Sequence, residues 1–471
     1  MAQGVLDANI LNDLNAFNAE VEFKGIDAKI VVLDDDPTGV QTVNNVSVFT
    51  DWEKQSILEG FLETNPMFFI LTNSRGFSAK KSREVHEKIA KRVCEVSRET
   101  GKDFIIISRG DSTLRGHYPL ETQVLKETIE SHSDKKISGE IICPFFPEGG
   151  RYTIDNVHYV KDKDKLYPAG ETEFAKDKTF GYFNSHLGKW CEEKTSGAFK
   201  AKDMIYVSLD ELKSGDVERV EEKLLAAQGF NKVIVNAVSY EDITVFAEGL
   251  RRAMQKGRNY MIRCAAAIPK VLGRVKDIPL LKRKDMVAEY STHGGVIIVG
   301  SHVKKTTDQL NSLMQAIPEI DFIEFDASKV TIQGGLESEA DRIANKVTTD
   351  IASGITAAVY TSRKLVDIGN DDKEAILAAS VKISDALTSI VAKLGVQPSF
   401  IVAKGGITSS DVGTKALKVK RATVLGQPAP GIPVWQTGQE SRFPGLPYVI
   451  FPGNVGEVNT LRDVVSVLMG K

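Results

Sequence analysis

Short runs of β-branched and aromatic residues, spaced along the chain and separated by charged stretches, constrain its fold more than any other feature. In the first half they occupy residues 29–33 (KIVVL), 46–49, 67–71 (MFFIL), 104–108 (FIIIS), 140–143 and 232–236 (KVIVN). Continuous apolar runs this short read as strands buried on both faces, the habit of parallel sheets. Helix-favouring segments such as residues 78–100 (SAKKSREVHEKIAKRVCEVSRET) lie between them. The second half repeats the habit at 296–299, 357–361, 400–403 and 448–451, with helical stripes at Ile343, Val347 and Ile351 and at Ile383, Leu387, Ile390 and Leu394. This alternation predicts an α/β fold in two domains, each with a mostly parallel sheet flanked by helices. Between residues 268 and 293, Pro269 and Pro279 stand among clustered basic residues. A boundary near 285 is expected there, giving domains 1–284 and 285–471.

Composition excludes several classes. The chain has 471 residues, enough to bury its own core without staples. Sixty Lys plus Arg against 63 Asp plus Glu leave a formal charge of −3, no footprint for coating nucleic acid. The four cysteines are widely spaced and form no CxxC pair, which argues against a disulfide scaffold or a cysteine zinc site and for a cytoplasmic setting. No segment reads as a signal peptide or approaches a membrane span, so no membrane partner is expected. The P-loop and dinucleotide fingerprints are missing, and no histidine pair has zinc-hydrolase spacing. His117, His158 and His302 fall in polar loop stretches within reach of a ligand, but a lone loop histidine is usually just solvated.

Chemistry concentrates where the apolar runs stop. Ligands of open parallel sheets bind beyond the carboxyl ends of the strands. Residues 33–39 (LDDDPTG) put three adjacent carboxylates there, tolerable where a cation, a polyol or a basic group answers them. Residues 72–76 (TNSRG) and 109–116 (RGDSTLRG) follow two further runs, each with an arginine beside hydroxyl residues and glycine, suited to a carboxylate or phosphate. Residues 143–151 (CPFFPEGGR) form a fourth such loop; Cys143 lacks a histidine partner and reads as packing. In the second half, Gly300-Ser301, the run Gly405-Gly406-Ile407-Thr408 and the loop 451–457 (FPGNVGE) can offer backbone amides to phosphate.

These loops resemble, in order and over nearly the whole chain, those of the four-carbon acid sugar kinase family, formerly a domain of unknown function. The matching motifs are DDxTG (Asp35 to Gly39), SR (Ser74-Arg75), DSTLRG (Asp111 to Gly116), PxxPxxGR (Pro144, Pro147, Gly150, Arg151) and TxFA (Thr172 to Ala175). The GS turn, the GGxT loop and the terminal GNxG loop (Gly453 to Gly456) follow. The resemblance implies an ATP-dependent kinase that phosphorylates a hydroxyl of a small acid sugar, such as a tetronate, 3-oxo-tetronate or 3-oxo-isoapionate, in a cleft between two domains. It implies Asp35 or Asp36 as the catalytic base and Arg75, Asp111, Ser112, Arg115 and Arg151 as substrate contacts. It implies Ser301, Gly405, Gly406, Ile407, Thr408, Gly453, Asn454 and Gly456 as nucleotide contacts, with Mg²⁺ arriving on ATP, no metal site of its own, and a homodimer as the assembly to expect. The rival expectations are another enzyme of the same acid sugars (an aldolase, isomerase or dehydrogenase) and a non-catalytic sugar-acid binding protein.

Overall fold

The computed structural model describes residues 4–363, 373–453 and 455–471. The chain divides into two compact units, residues 1–43 with 51–276, and residues 44–50 with 277–471. The separation expected near 285 left residues 44–50 with the N-terminal part; the structure assigns them to the second unit instead.

The first unit is built on a seven-stranded, wholly parallel sheet in the order Ile205–Val207, Asn231–Val235, Ile137–Cys143, Asn259–Cys264, Phe104–Arg109, Lys29–Asp34, Met67–Leu71. Every residue of Lys29–Asp34, Met67–Leu71 and Phe104–Arg109 is buried, which explains their unbroken apolar sequences. Between Met67–Leu71 and Phe104–Arg109 runs the helix Ala79–Thr100; Ser78 caps it by accepting from the Lys81 amide, and Gly101 ends it in the left-handed region. Its buried stripe includes Val85, Ile89, Val93 and Val96. Beside the main sheet lies a smaller antiparallel one, Leu6–Asp7, Lys165–Pro168, Val157–Asp162 and Arg151–Ile154.

The second unit has a five-stranded parallel sheet in the order Pro447–Phe451, Ile401–Lys404, Val296–Val299, Ala357–Thr361, Asp321–Phe325. Three antiparallel strands extend it: Ile432–Thr437, then Arg421–Ala429, then Ser47–Phe49 from the far N-terminal side of the sequence. The helix Gly335–Ala352 buries Ile343, Val347 and Ile351; Leu387 and Ile390 are buried on Lys373–Lys393, and Leu394 just beyond its end.

Strand order fixes where ligands can enter. In the first unit the chain leaves Lys29–Asp34 toward one sheet edge and Phe104–Arg109 toward the other, although the two are neighbours. In the second, the same reversal separates Val296–Val299 from Ile401–Lys404. Loops that part in opposite directions open a crevice at the strand ends, the ligand site of doubly wound sheets.

Candidate functional site

At the first crevice, Asp34, Asp35 and Asp36 follow one another out of the sheet and divide three roles. Asp34 is buried against the Arg109 guanidinium, 3.0 Å from Nη1. It can lie there because Gly39 has no side chain: a Cβ on Gly39 would fall 2.0 Å from a carboxylate oxygen of Asp34. Burial, against the pull of Arg109, pushes the Asp34 carboxyl up to about 7. Asp35 accepts both arms of Arg75, from Nε at 3.0 Å and from Nη2 at 2.6 Å, and is 3% exposed. Burial raises its carboxyl above the ordinary value despite that pair. Asp36 is turned outward, its side chain 23% exposed, with one oxygen 2.7 Å from Arg75 Nη1. Its other oxygen accepts the Thr38 amide at 2.7 Å and the Thr38 hydroxyl. Burial opposes its charge, but Arg75, Arg109 and Thr38 outweigh burial and hold its carboxyl below the usual carboxylate value.

The SR loop is set by backbone bonds from Thr72 N to Asp34 O and from Arg75 N to Asp35 O. The buried Glu121 accepts the Ser74 hydroxyl at 2.6 Å and anchors it. In the DSTLRG loop, Asp111 accepts Arg115 Nε at 2.8 Å and the Thr113 hydroxyl, and lies 3.8 Å from Arg75 Nη1. Burial works against its charge too, yet Arg75 and Arg115 hold its carboxyl well below the ordinary range. The structure thus gathers Asp35, Asp36, Arg75, Asp111 and Arg115 into one network. Ser112 contributes differently, through its carbonyl, which accepts His158 Nε2 at 2.8 Å. Arg115 and Arg151 flank the Phe174 ring, their guanidinium carbons 5.1 and 5.5 Å from its centroid, and Arg151 Nε is buried with no partner among the described residues.

Three residues here were missed or misread from sequence. Arg109 read as one more loop arginine, but it is buried as the counter-charge of Asp34. Arg263, inside the strand Asn259–Cys264, donates to the Arg115 carbonyl at 3.1 Å and presses so close to the loop that a Cβ on Gly110 would sit 1.4 Å from its Nη1. His158 is no solvated loop residue. It is wholly buried in Val157–Asp162, its Nδ1 paired with the Thr153 hydroxyl at 3.0 Å, and burial drives its imidazole down to about 4. Cys143 fits its packing role: burial pushes the thiol up to about 12.

In the second unit, Ser301, Gly405 and Gly453 meet at the ends of three neighbouring parallel strands. A Cβ on Gly405 would lie 3.3 Å from Ser301 Cβ, and one on Gly453 would lie 3.1 Å from Ser301 Oγ. Gly405 has φ +128° and ψ 143°, backbone that only glycine adopts without strain. Thr306 Oγ1 donates to Ser301 Oγ at 3.1 Å and to the Gly453 carbonyl at 3.0 Å. Gly406 faces open space, and Ile407 is 72% exposed. Thr408 is buried instead against Gly300, and Gly456, with φ +82°, turns against Thr460. Asn454 lies outside the described residues. Unread in the sequence were Lys404, fully buried, with Nζ donating to the Pro452 carbonyl at 2.7 Å, and Arg363, donating from Nη1 to the Ser301 carbonyl at 2.6 Å. Among the described residues no group of three His, Cys, Asp or Glu side chains could hold a metal ion, and no helix is long and apolar enough to cross a membrane.

An acid–arginine crevice thus lies in one α/β unit and a glycine–hydroxyl crevice in the other, and the family models give each unit its ligand class. Residues 30–272 match the model of a sugar-binding N-terminal domain and residues 296–461 that of a nucleotide-binding C-terminal domain. The chain belongs to the four-carbon acid sugar kinase family, whose architecture this pair constitutes. Among solved structures, a Salmonella typhimurium LT2 protein provisionally described as a tRNA synthase shares the fold at TM-score 0.66 and 16% identity, over 92% of this chain and 98% of its own. A Haemophilus influenzae protein assigned to the DUF1537 family does so at TM-score 0.63 and 18% identity, over 93% and 100%. No curated protein sequence matches the chain.

Proposed function

We propose that this protein is an ATP-dependent kinase of a small acid sugar, with the acceptor held by the first unit and the nucleotide by the second. The observation that carries the reading is the division of labour among the carboxylates. Asp34 and Asp35 are buried against Arg109 and Arg75, whereas Asp36, which also meets Arg75, is held ionised, is partly exposed and is fixed in direction by Thr38. Asp36 is therefore the base. It takes the proton of the acceptor hydroxyl as that oxygen bonds to the γ-phosphorus, while the bond from the γ-phosphorus to the ADP oxygen breaks; the products are ADP and a phosphate ester. Phosphoryl transfer asks the protein mainly for positioning and charge stabilisation.

The family resemblance gave Arg75 a substrate role, but its fork is already filled by Asp35 and Asp36. Arg115 and Arg151, the two guanidiniums beside Phe174, are the better cradle for a sugar carboxylate, because an Arg151 nitrogen is buried and has no partner among the described residues. In the second unit the amides at Gly405 and Gly406 and the Ser301 hydroxyl would take the ATP phosphates. The half-buried hydroxyl oxygen of Ser301, oriented by Thr306, is a hard donor that would fit a magnesium ion carried on those phosphates, whose charge the ion would neutralise. Incubation with ATP–Mg²⁺ and a panel of straight-chain and branched four-carbon sugar acids, read by ADP release, tests this. ADP release that requires one of the acids is expected. Turnover of NAD or aldol cleavage of the same acids, without ADP, would overturn it.

A further inference from the structure

Lys404 closes the strand Ile401–Lys404 with none of its surface exposed, yet no carboxylate among the described residues pairs with it. Its Nζ donates to the carbonyls of Pro452 and Gly453, at 2.7 and 3.3 Å, and lies 4.0 Å from the centre of the Phe451 ring. The charged group that acts on it is another cation, Lys305. Arg363 stands at the end of a nearby strand of the sheet and leaves Nε and Nη2 buried without partners among the described residues. An ammonium buried away from any acid is expensive, and here it directly precedes Gly405 and reaches the carbonyl of Gly453, the two glycines that close on Ser301.

We propose that Lys404 is the counter-charge for the phosphate groups of the bound nucleotide, held beneath the Gly453 turn until the phosphates supply the missing anion. This rests on the second unit being the nucleotide site. Burial lowers the lysine to about 7, so an arriving polyanion also restores full charge to a group that is only partly charged without it. A lysine kept merely to tie down the turn would have no such preference for phosphate over the rest of a nucleotide.

The test compares ATP, inorganic tripolyphosphate and adenosine as separate probes of the full-length protein by calorimetry, in wild type, Lys404→Met and Lys404→Gln. Glutamine keeps a donor for the two carbonyls but no charge, and serves if the methionine variant does not fold. Both variants are expected to bind ATP and tripolyphosphate roughly ten- to hundredfold more weakly, the worth of a lost charge-assisted hydrogen bond, and to bind adenosine as wild type does. Their melting temperatures without ligand should equal or exceed that of wild type, because an unpaired buried charge has gone. Unchanged tripolyphosphate affinity overturns the assignment while leaving the nucleotide site standing. So does an equal loss of adenosine, which marks Lys404 as a structural tie. A wild type that binds neither ATP nor tripolyphosphate removes both the nucleotide reading and this one.

Discussion

At the scale of single residues, the first crevice shows how one cluster can hold like charges: Arg109 answers Asp34, and Arg75 is shared between the buried Asp35 and the outward Asp36. Asp36 is the only one of the three consecutive aspartates that faces outward, so its replacement should fall on chemistry. Asp36→Asn keeps shape and the Thr38 amide bond but removes charge and basicity. Its kcat is expected to fall by about a hundredfold or more, with little change in melting temperature. Near-normal kcat would move the base elsewhere. Arg115→Lys, by contrast, loses the planar fork beside Phe174 and should chiefly raise the KM for the sugar acid. His158 gives a prediction about stability. It is neutral and buried, with its pKa lowered to about 4, whereas the unfolded chain takes up the proton near 6.5. The stability it confers is therefore complete above pH 6.5 and is lost as pH falls toward 4, at roughly 1.4 kcal/mol per pH unit. Urea unfolding of wild type and His158→Gln should show a stability gap wider by about 2 to 3 kcal/mol at pH 7 than at pH 4.5. A gap that does not vary with pH would contradict the buried neutral imidazole.

At the scale of elements, the glycine loop after Ile401–Lys404 separates shape from function within two neighbouring residues. Gly406 has open space where a side chain would go, so Gly406→Val should leave the melting temperature nearly unchanged while raising the KM for ATP. Gly405→Ala meets a forbidden conformation and should cost roughly 1–3 kcal/mol of stability. Equal melting losses in both variants would make the loop a plain turn. The sequence showed this loop and most strands of the two parallel sheets, because burial on both faces leaves few polar residues in the segment; the short strand Ile205–Val207 escaped it. It did not show Asn259–Cys264, where Arg263 interrupts the run to reach the Arg115 carbonyl. Nor did it show the hairpin Arg421–Ala429 with Ile432–Thr437, whose first strand alternates buried and half-exposed residues around a glycine and a proline. The motif DDD announced a site, but the three roles depend on Arg109, Arg75 and Thr38, and no sequence spacing states which arginine meets which acid. Lys404 and His158 were silent for the same reason: each looks polar in sequence, and only the fold says it is buried.

At the scale of the whole molecule, the two units do not correspond to two continuous pieces of chain. Ser47–Phe49 completes the sheet of the second unit, with Val48 and Phe49 both 1% exposed. A fragment of residues 277–471 lacks that strand and should melt lower than the same fragment with residues 44–50 joined to its N-terminus through a flexible linker, since two buried apolar side chains are worth roughly 1.5–3 kcal/mol each. The joined form should be further stabilised by ADP. Identical melting of the two fragments would show the borrowed strand to be dispensable.

The loan of that strand also sets a timetable for synthesis. The Thr50 hydroxyl finds its acceptor, the Val419 carbonyl, 369 residues further on. At roughly 5–20 residues per second, a ribosome needs about 20–75 seconds to cover that distance. All that while, the short apolar strand Ser47–Phe49 stands in the nascent chain with its antiparallel neighbour Arg421–Ala429 not yet made. The second unit is therefore finished from two stretches of chain far apart in sequence, and a cell that makes this protein has to keep one strand waiting until its antiparallel neighbour has been translated.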